Sequence, residues 1–417
     1  MNLNHEINHE KSRGTVFLIA VIISVTAGQF ALLFYLPALP LIGHDMHLHG
    51  GQIEVTVVTF LYGFGISQLI YGNLSDSFGR KRILLIGVVI LACGVFLTYS
   101  SYTYNMLLVS RLIQGLGAGA IAIIPRAIMK DSYEGTKFIK ALTVFMLVLA
   151  ITPAIAPLIG GACVTYFAWR TMFLFLFCYV IFVLFVVIFL VPETHCKSQR
   201  TSFNAKVIIA NYLELAKNIK YMIYVFSVML SFTGMIIYMT FTAYILEDVF
   251  SYTPGQYGLI MLIPAVTLGL GTSSSLWLPK LTKYKTGINQ NMIIGCIIMI
   301  IGSICIILIC LLSLKTAWFM IIFVSIISIG IGFVFTNSTA GMLQESTKAL
   351  GAGASFSGCM QMIGDGVILY IFTKFQMYTT FYIGVWNLVF AVIVIVMILY
   401  LIKIKPDKSW VHLNKST

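Results

Sequence analysis

Long runs of uncharged residues recur along this chain and restrict the folds that it can adopt. Residues 55–71 and 83–101 contain no charged side chain. Each run is roughly long enough to cross a bilayer core of about 30 Å as an α-helix. Only 10% of the 417 residues are charged and 59% are hydrophobic, which excludes a water-soluble globular protein. The chain is therefore predicted to be an integral membrane protein.

Charged residues, prolines and glycines divide the hydrophobic sequence into twelve runs. Each run is predicted to form one transmembrane helix, so the predicted fold class is an all-α polytopic membrane protein. The predicted helices cover residues 15–40, 52–72, 83–101, 104–129, 138–164, 170–191, 219–246, 255–278, 288–313, 316–341, 350–373 and 380–403.

Lysine and arginine residues are concentrated in alternate loops between these helices. With a cytoplasmic amino terminus, 22 of the 26 basic residues fall in cytoplasmic segments, among them Arg126 near the end of the fourth helix. Because short cytoplasmic loops are enriched in Lys and Arg, both termini are predicted to be cytoplasmic. The net charge of +12 is explained by this topology, and no nucleic-acid partner is expected.

The longest polar segment inside the chain, residues 192–218, separates two sets of six predicted helices. It predicts an amino-terminal bundle over residues 1–191, a cytoplasmic central loop over 192–218 and a carboxy-terminal bundle over 219–417. Many secondary transporters are built from two such halves, with a binding site near the membrane midplane between them.

Four short motifs in the first half carry a family resemblance. They are GNLSDSFGRKR at residues 72–82, RLIQGLGAGA at 111–120, TPAIAPLIGG at 152–161 and YLPALP at 35–40. The first resembles the signature between helices 2 and 3 of the major facilitator superfamily, and the next two resemble motifs of its proton-coupled drug exporters. The last resembles the end of helix 1 in the Bcr/CflA (bicyclomycin/chloramphenicol resistance) subfamily.

The resemblance implies the two-bundle fold of that superfamily and a monomeric transporter of the bacterial cytoplasmic (inner) membrane. It further implies that Arg80 pairs with Asp131, and that Asp76 lies near the start of a helix in the other half, where the helix dipole favours its charge. Two glycines would allow a tight turn, and the prolines and glycines of helix 5 would bend it and let it pack closely against the other half. The residues assigned to conformational change in this way are Gly72, Asp76, Gly79, Arg80, Asp131, Pro153, Pro157, Gly160 and Gly161.

The sequence departs from the family pattern at three positions. Ser77 stands where the family usually has a second arginine, and Ala156 stands where the broader motif has glycine. Leu33 occupies a position in helix 1 where the subfamily often has aspartate, and the predicted helix 1 contains no acidic residue. Proton coupling must therefore rest on other residues or be absent.

Ionisable residues inside the predicted helices are few, and each is a functional candidate because burying a charge in a bilayer is costly. Asp365 lies in the eleventh helix, on one face with Gln361 and Ser357 at helical spacing. Arg111 is the one cation well inside an early helix, and Glu54 lies near the outer end of the second. These three charged residues are the predicted proton-coupling group: Asp365, Arg111 and Glu54.

Two of these assignments have open alternatives. Arg111 either pairs with Asp365 of the opposite half, in an ion pair that breaks and reforms, or binds a backbone carbonyl within its own half. Glu54 either relays protons between Asp365 and the outside or is a solvent-exposed glutamate at the mouth of its helix.

Hydroxyl, amide and aromatic side chains at helical spacing predict a binding cavity. An apolar cavity with scattered polar groups suits a moderately sized amphipathic ligand, although ordinary packing in a helix bundle explains many such residues equally well. The predicted substrate-binding residues are Tyr35, Tyr62, Gln68, Gln114, Ser231, Tyr238, Asn337, Ser357 and Gln361.

No motif for phosphate binding, metalloprotease chemistry or a nucleophile elbow occurs in the sequence. The eight cysteines show no metal-ligand spacing. No enzyme activity, cofactor or metal is therefore expected.

The sequence thus predicts a secondary transporter that exports amphipathic small molecules, as in drug efflux, in exchange for protons. Three alternatives stay open: an exporter of a native metabolite or siderophore, a facilitator that uses no protons, and a membrane sensor that transports nothing.

Overall fold

The computed structural model describes residues 3–49, 51–195, 200, 204–281, 287–314, 316–346, 350–375 and 379–404. Over these residues the chain is helical throughout its regular structure. Twelve stretches within them are long and apolar enough to cross a membrane, which confirms the all-α fold class and the number of spans. The predicted cytoplasmic lysines at 197, 283, 285, 348, 405, 408 and 415 lie outside the described residues.

Fourteen of the fifteen α-helices in the described part of the chain make up these spans, and α8 lies outside them. The first span joins α1, a 3-10 turn (Leu36–Ala38) and α2, and the eighth joins α10 and α11. The helices are α1 Leu3–Leu33, α2 Leu39–Asp45, α3 Gln52–Phe78, α4 Arg80–Tyr99, α5 Tyr104–Ser132, α6 Gly135–Tyr166, α7 Trp169–Leu190, α8 Ala205–Lys217, α9 Ile219–Tyr244, α10 Pro254–Ile260, α11 Leu262–Leu281, α12 Ile288–Leu311, α13 Ala317–Glu345, α14 Leu350–Lys374 and α15 Thr380–Ile404.

The two ends of the helix bundle differ in charge. The basic end carries residues 79–82, 133–134 and 191–195, and the opposite end carries residues 46–49, 100–103 and 250–253. We call α1–α7 the first half and α9–α15 the second half.

The turn predicted at residues 72–82 is much shorter than expected. Helix α3 continues to Phe78 and α4 starts at Arg80, so Gly79 alone joins them with φ of 104°. Side chains rarely adopt that backbone angle, and glycine adopts it without steric cost. Gly72, predicted to belong to the same turn, instead lies inside α3, where an added Cβ would be 2.5 Å from the Ser355 hydroxyl of α14.

Glycines let neighbouring helices of each half approach until their backbones meet. An added Cβ on Gly63 of α3 would be 2.5 Å from the Leu112 carbonyl oxygen of α5. In the second half, an added Cβ on Gly295 of α12 would be 2.8 Å from the Gly330 carbonyl oxygen of α13. Such small-residue contacts are the usual basis of helix packing in membranes. The two halves meet along α3 with α14 and along α6 with α10.

The segment predicted as a plain central loop contains the short helix α8. Asn204 caps it by accepting hydrogen bonds from the backbone of its first turn. The Tyr212 hydroxyl donates to the Leu69 carbonyl oxygen at 2.9 Å and accepts from Asn73 at 2.9 Å. Its ring stacks on Phe356 of α14, with 5.7 Å between centroids. Helix α8 thereby contacts both halves near the basic end.

Candidate functional site

Arg111 of α5 is completely buried and is held within the first half. Its Nη1 donates to the Ala31 carbonyl oxygen of α1 at 2.9 Å and to Gln114 at 2.5 Å. The guanidinium also lies 4.0 Å from the Tyr35 ring centroid and 4.5 Å from that of Phe60, within the range of a cation–π interaction. Of the two predicted arrangements, the structure therefore shows the carbonyl-bound one.

Asp365 of α14 is also completely buried, and it lies against α9 rather than against Arg111. Thr233 donates a 2.5 Å hydrogen bond to Oδ1, whereas Oδ2 has no partner among the described residues. No ion pair joins Asp365 to Arg111 in the described structure. The predicted pair is thus not formed in this conformation, because Arg111 is occupied by oxygen atoms and rings of its own half.

The interpretation of Glu54 as a solvent-exposed residue is wrong. The side chain lies in the first turn of α3 and is only 3% exposed. Its Oε2 has no partner among the described residues. The helix begins at Gln52, and α2 packs against α3, where an added Cβ on Gly43 would be 3.8 Å from Ile53. The alternative that Glu54 relays protons stays a prediction.

The predicted substrate-binding residues fall into three groups. Tyr35 and Gln114 surround Arg111; Tyr35 also hydrogen-bonds Thr56 at 2.8 Å. Tyr238 and Asn337 pack inside the second half, where Tyr238 accepts from Ser328 at 3.0 Å and Asn337 accepts from Asn291 at 3.3 Å.

The third group lies mainly where α3 and α14 cross. An added Cβ on Gly366 would be 2.7 Å from the Tyr62 ring, and one on Gly358 would collide with Gln68. Ser357 and Gln361 are buried on the same helix as Asp365, while Ser231 of α9 donates to the Val228 carbonyl oxygen at 2.9 Å. The structure therefore brings Tyr62 and Gln68 of α3 against the helix that carries Ser357 and Gln361.

The basic turn carries a network centred on Arg80. Arg80 contacts Asp76 one turn before it, and its Nε lies 2.9 Å from Asp131 of α5. Its backbone N–H donates to Glu193 at 2.8 Å, so a carboxylate from the segment after α7 binds the first turn of α4, as the helix dipole favours. Asp76 contacts Arg80 of its own half, and its location near the start of a helix in the other half stays a prediction. Glu193 was not predicted.

At the opposite end the two halves touch through α6 and α10. Pro153, Pro157, Gly160 and Gly161 all lie within α6. An added Cβ on Gly161 would collide with the Pro254 carbonyl oxygen, and one on Gly258 would be 2.6 Å from that of Pro157. On the other side of α6, an added Cβ on Gly160 would collide with the Phe34 carbonyl oxygen. The glycines thus allow α6 to approach α10 and the residue that follows α1 at backbone distance.

His44 and Asp248 add a second contact between the halves at this end, with 3.6 Å between His44 Nε2 and Asp248 Oδ1. No group of His, Cys, Asp and Glu residues able to hold a metal ion occurs within the described residues.

Arg126 was counted among the cytoplasmic basic residues, near the end of the predicted fourth helix. It lies inside the fourth span and lines a cavity of about 30 Å³ between α1, α3, α5 and α6. Gln29 of α1 lines the same cavity. One feature of the sequence points to this position. Arg126 lies six residues before the end of α5 and one helical turn after Ala122, so it continues the helix.

Known proteins similar to this chain are transporters or drug-resistance proteins. The bicyclomycin resistance protein homolog of Haemophilus influenzae is 28% identical over 261 residues, covering 63% of this chain and 65% of the relative. The chain thus matches slightly less than two thirds of that relative's length. Multidrug resistance protein D of Escherichia coli is 22% identical over 361 residues, covering 86% of this chain and 89% of the relative. Both names agree with the Bcr/CflA resemblance.

A solved structure supports the fold. The partially occluded, inward-open structure of the xylose transporter XylE from E. coli superposes with a TM-score of 0.68 at 14% identity, covering 94% of this chain and 98% of that chain. The sequence pattern that describes the Major Facilitator Superfamily matches residues 17–367. With twelve spans in the described residues and a family match over most of its length, the chain belongs to the Major Facilitator Superfamily.

Proposed function

We propose that this protein exports amphipathic small molecules across the bacterial inner membrane in exchange for protons, with the basic end facing the cytoplasm. The single observation that carries the proposal is Asp365, a carboxyl group that is 0% exposed inside a span and has no cationic partner in the described structure. A charge at such a depth is costly, so its presence indicates a function.

The surroundings of Asp365 suggest how a proton controls conformation. Its helix α14 packs on α3 of the first half and on α9 of the second. Gaining or losing a proton changes the charge of a group whose one hydrogen-bond partner among the described residues is the Thr233 hydroxyl. Because a buried charge needs compensating groups, each protonation state favours a different arrangement of these helices, as alternating access requires.

The contacts at the opposite end would form the gate that opens during export. In the present conformation α6 and α10 meet at backbone distance there, and His44 approaches Asp248. Release of substrate on that side requires these contacts to separate. Drug export as the physiological role is supported by the names of the two relatives and by the absence of any phosphate-binding loop from the sequence.

The proposal is tested by transport into proteoliposomes with an acidic lumen. Ethidium, rhodamine 123 and chloramphenicol form the panel, and at least one is expected to accumulate against its gradient and to leak out when a protonophore collapses the pH difference. Flux that only follows the substrate gradient would support the facilitator instead. Binding without any flux would support the sensor.

A further inference from the structure

Arg126 is a cation inside a span that lacks a counter-charge. A guanidinium stays protonated in proteins, and a charge in a membrane span is compensated in nearly every case by an anion, carbonyl oxygens or water. In the described structure Arg126 forms no ion pair and no hydrogen bond, and its one recorded interaction is with the Phe145 ring, 5.5 Å from the guanidinium carbon. By contrast, Arg80, Arg111 and Arg170 each contact a carboxylate or carbonyl oxygen.

The side chain of Arg126 is accessible, whereas Arg111 is not. Arg126 is exposed and Arg111 is 0% exposed. Arg111 is also occupied by Ala31, Gln114 and two aromatic rings. An anionic molecule that enters the protein can therefore reach Arg126 and cannot reach Arg111 in this conformation.

The cavity beside Arg126 combines one charged group, one amide and apolar walls. The amide belongs to Gln29, which offers a second N–H donor, and the volume of about 30 Å³ accepts a small group rather than a whole drug. A guanidinium and an amide together can donate to both oxygens of a carboxylate, and hydrogen bonds to charged groups are the strong ones. The remaining lining residues are Val25, Gly28, Phe64, Ala122 and Leu149.

We infer that Arg126 and Gln29 form a subsite for the anionic group of the transported molecule. The preferred substrates are thus amphipathic molecules that carry a carboxylate, which enters this cavity while the rest of the molecule stays outside it. This inference rests on the proposed transport function, because it names the substrate class of the same protein.

Two dyes that differ only in the anionic group test the inference. Rhodamine 110 carries a free carboxylate and rhodamine 123 carries its methyl ester; binding of each to the full-length protein in lipid nanodiscs is measured by fluorescence anisotropy. The wild-type protein is expected to bind rhodamine 110 about tenfold more tightly, as a charged hydrogen bond of about 1.5 kcal/mol allows. Arg126→Gln should remove this preference while changing the affinity for rhodamine 123 less than twofold.

Two further variants separate a specific contact from a general effect. Arg126→Lys keeps the charge and should retain part of the preference, and Gln29→Leu should reduce it about threefold. Lys130→Gln removes one positive charge from an exposed position on the same helix and should leave the preference unchanged.

Three results overturn the inference: no binding of rhodamine 110, an equal loss for both dyes in Arg126→Gln, or the same loss in Lys130→Gln. A failure of the proposed function looks different. In that case the preference for rhodamine 110 persists in binding, but no dye is driven by a pH gradient.

Discussion

Asp365→Asn is expected to abolish accumulation driven by a pH gradient while leaving downhill transport intact. Asparagine has nearly the same shape and can still accept the Thr233 hydrogen bond, but it cannot carry a proton. A gradient of two pH units supplies about 2.7 kcal/mol per proton, enough for about 100-fold accumulation with one proton per substrate. We expect the variant to reach only the external concentration.

The measurement is dye accumulation in proteoliposomes at several lumen pH values, with the outside held at pH 8. Glu214→Gln is the matched control, because it makes the same change from carboxylate to amide at an exposed position of α8. It should accumulate dye as the wild type does. Equal accumulation and equal pH dependence in Asp365→Asn and the wild type would contradict the role assigned to Asp365.

Gly161→Val is expected to force the two halves apart at the opposite end. An added Cβ already collides with the Pro254 carbonyl oxygen of α10, and a backbone atom cannot rotate away as a flexible side chain can. Because valine adds two further methyl groups, the contact between α6 and α10 cannot form as it does here. The conformation with this end closed should lose most of its population, and transport should fall at least tenfold.

Spin labels at positions 166 and 249 report this separation. Tyr166 is 80% exposed at the end of α6 and Val249 is 70% exposed beyond α9, so both positions accept a label at the same end of the two halves. Electron–electron distance measurements should show a longer main distance in Gly161→Val. Gly269→Val is the control, because nothing lies within 4 Å of an added Cβ there. An unchanged distance in Gly161→Val would show that this contact does not hold the end closed.

The sequence was sufficient to place the helices, because an uncharged run long enough to cross a bilayer rarely forms anything other than a membrane-spanning helix. The seventh predicted helix, 219–246, matches the observed α9 at Ile219–Tyr244. The predicted helix ends were wrong where polar residues continue a helix. The second helix was predicted to end at residue 72, but α3 continues through Asp76 to Phe78. The helix α8 was missed because its thirteen residues include two lysines and a glutamate, and its apolar face is too short to be recognised by hydrophobicity alone.

The site was predicted less well. When the hydrogen-bond partner of a buried polar side chain is a backbone atom, the sequence does not identify that partner. Arg111 binds the carbonyl oxygen of Ala31, and every residue has such an oxygen. Hence only the structure distinguishes this contact from a pair with Asp365. The same holds for Arg126, which the sequence places near the end of the fourth helix, whereas only the structure shows the cavity beside it.

Measuring the lumen pH while substrate enters tests the central claim, that substrate is exchanged for protons, most directly. Ethidium, which is permanently charged, is supplied outside proteoliposomes that contain a pH-sensitive dye and start with equal pH on both sides, with the membrane potential clamped. Exchange predicts that the lumen becomes more alkaline as ethidium enters, and that Asp365→Asn and protein-free vesicles show no such change. Entry of ethidium through the wild-type protein at constant lumen pH would contradict proton exchange.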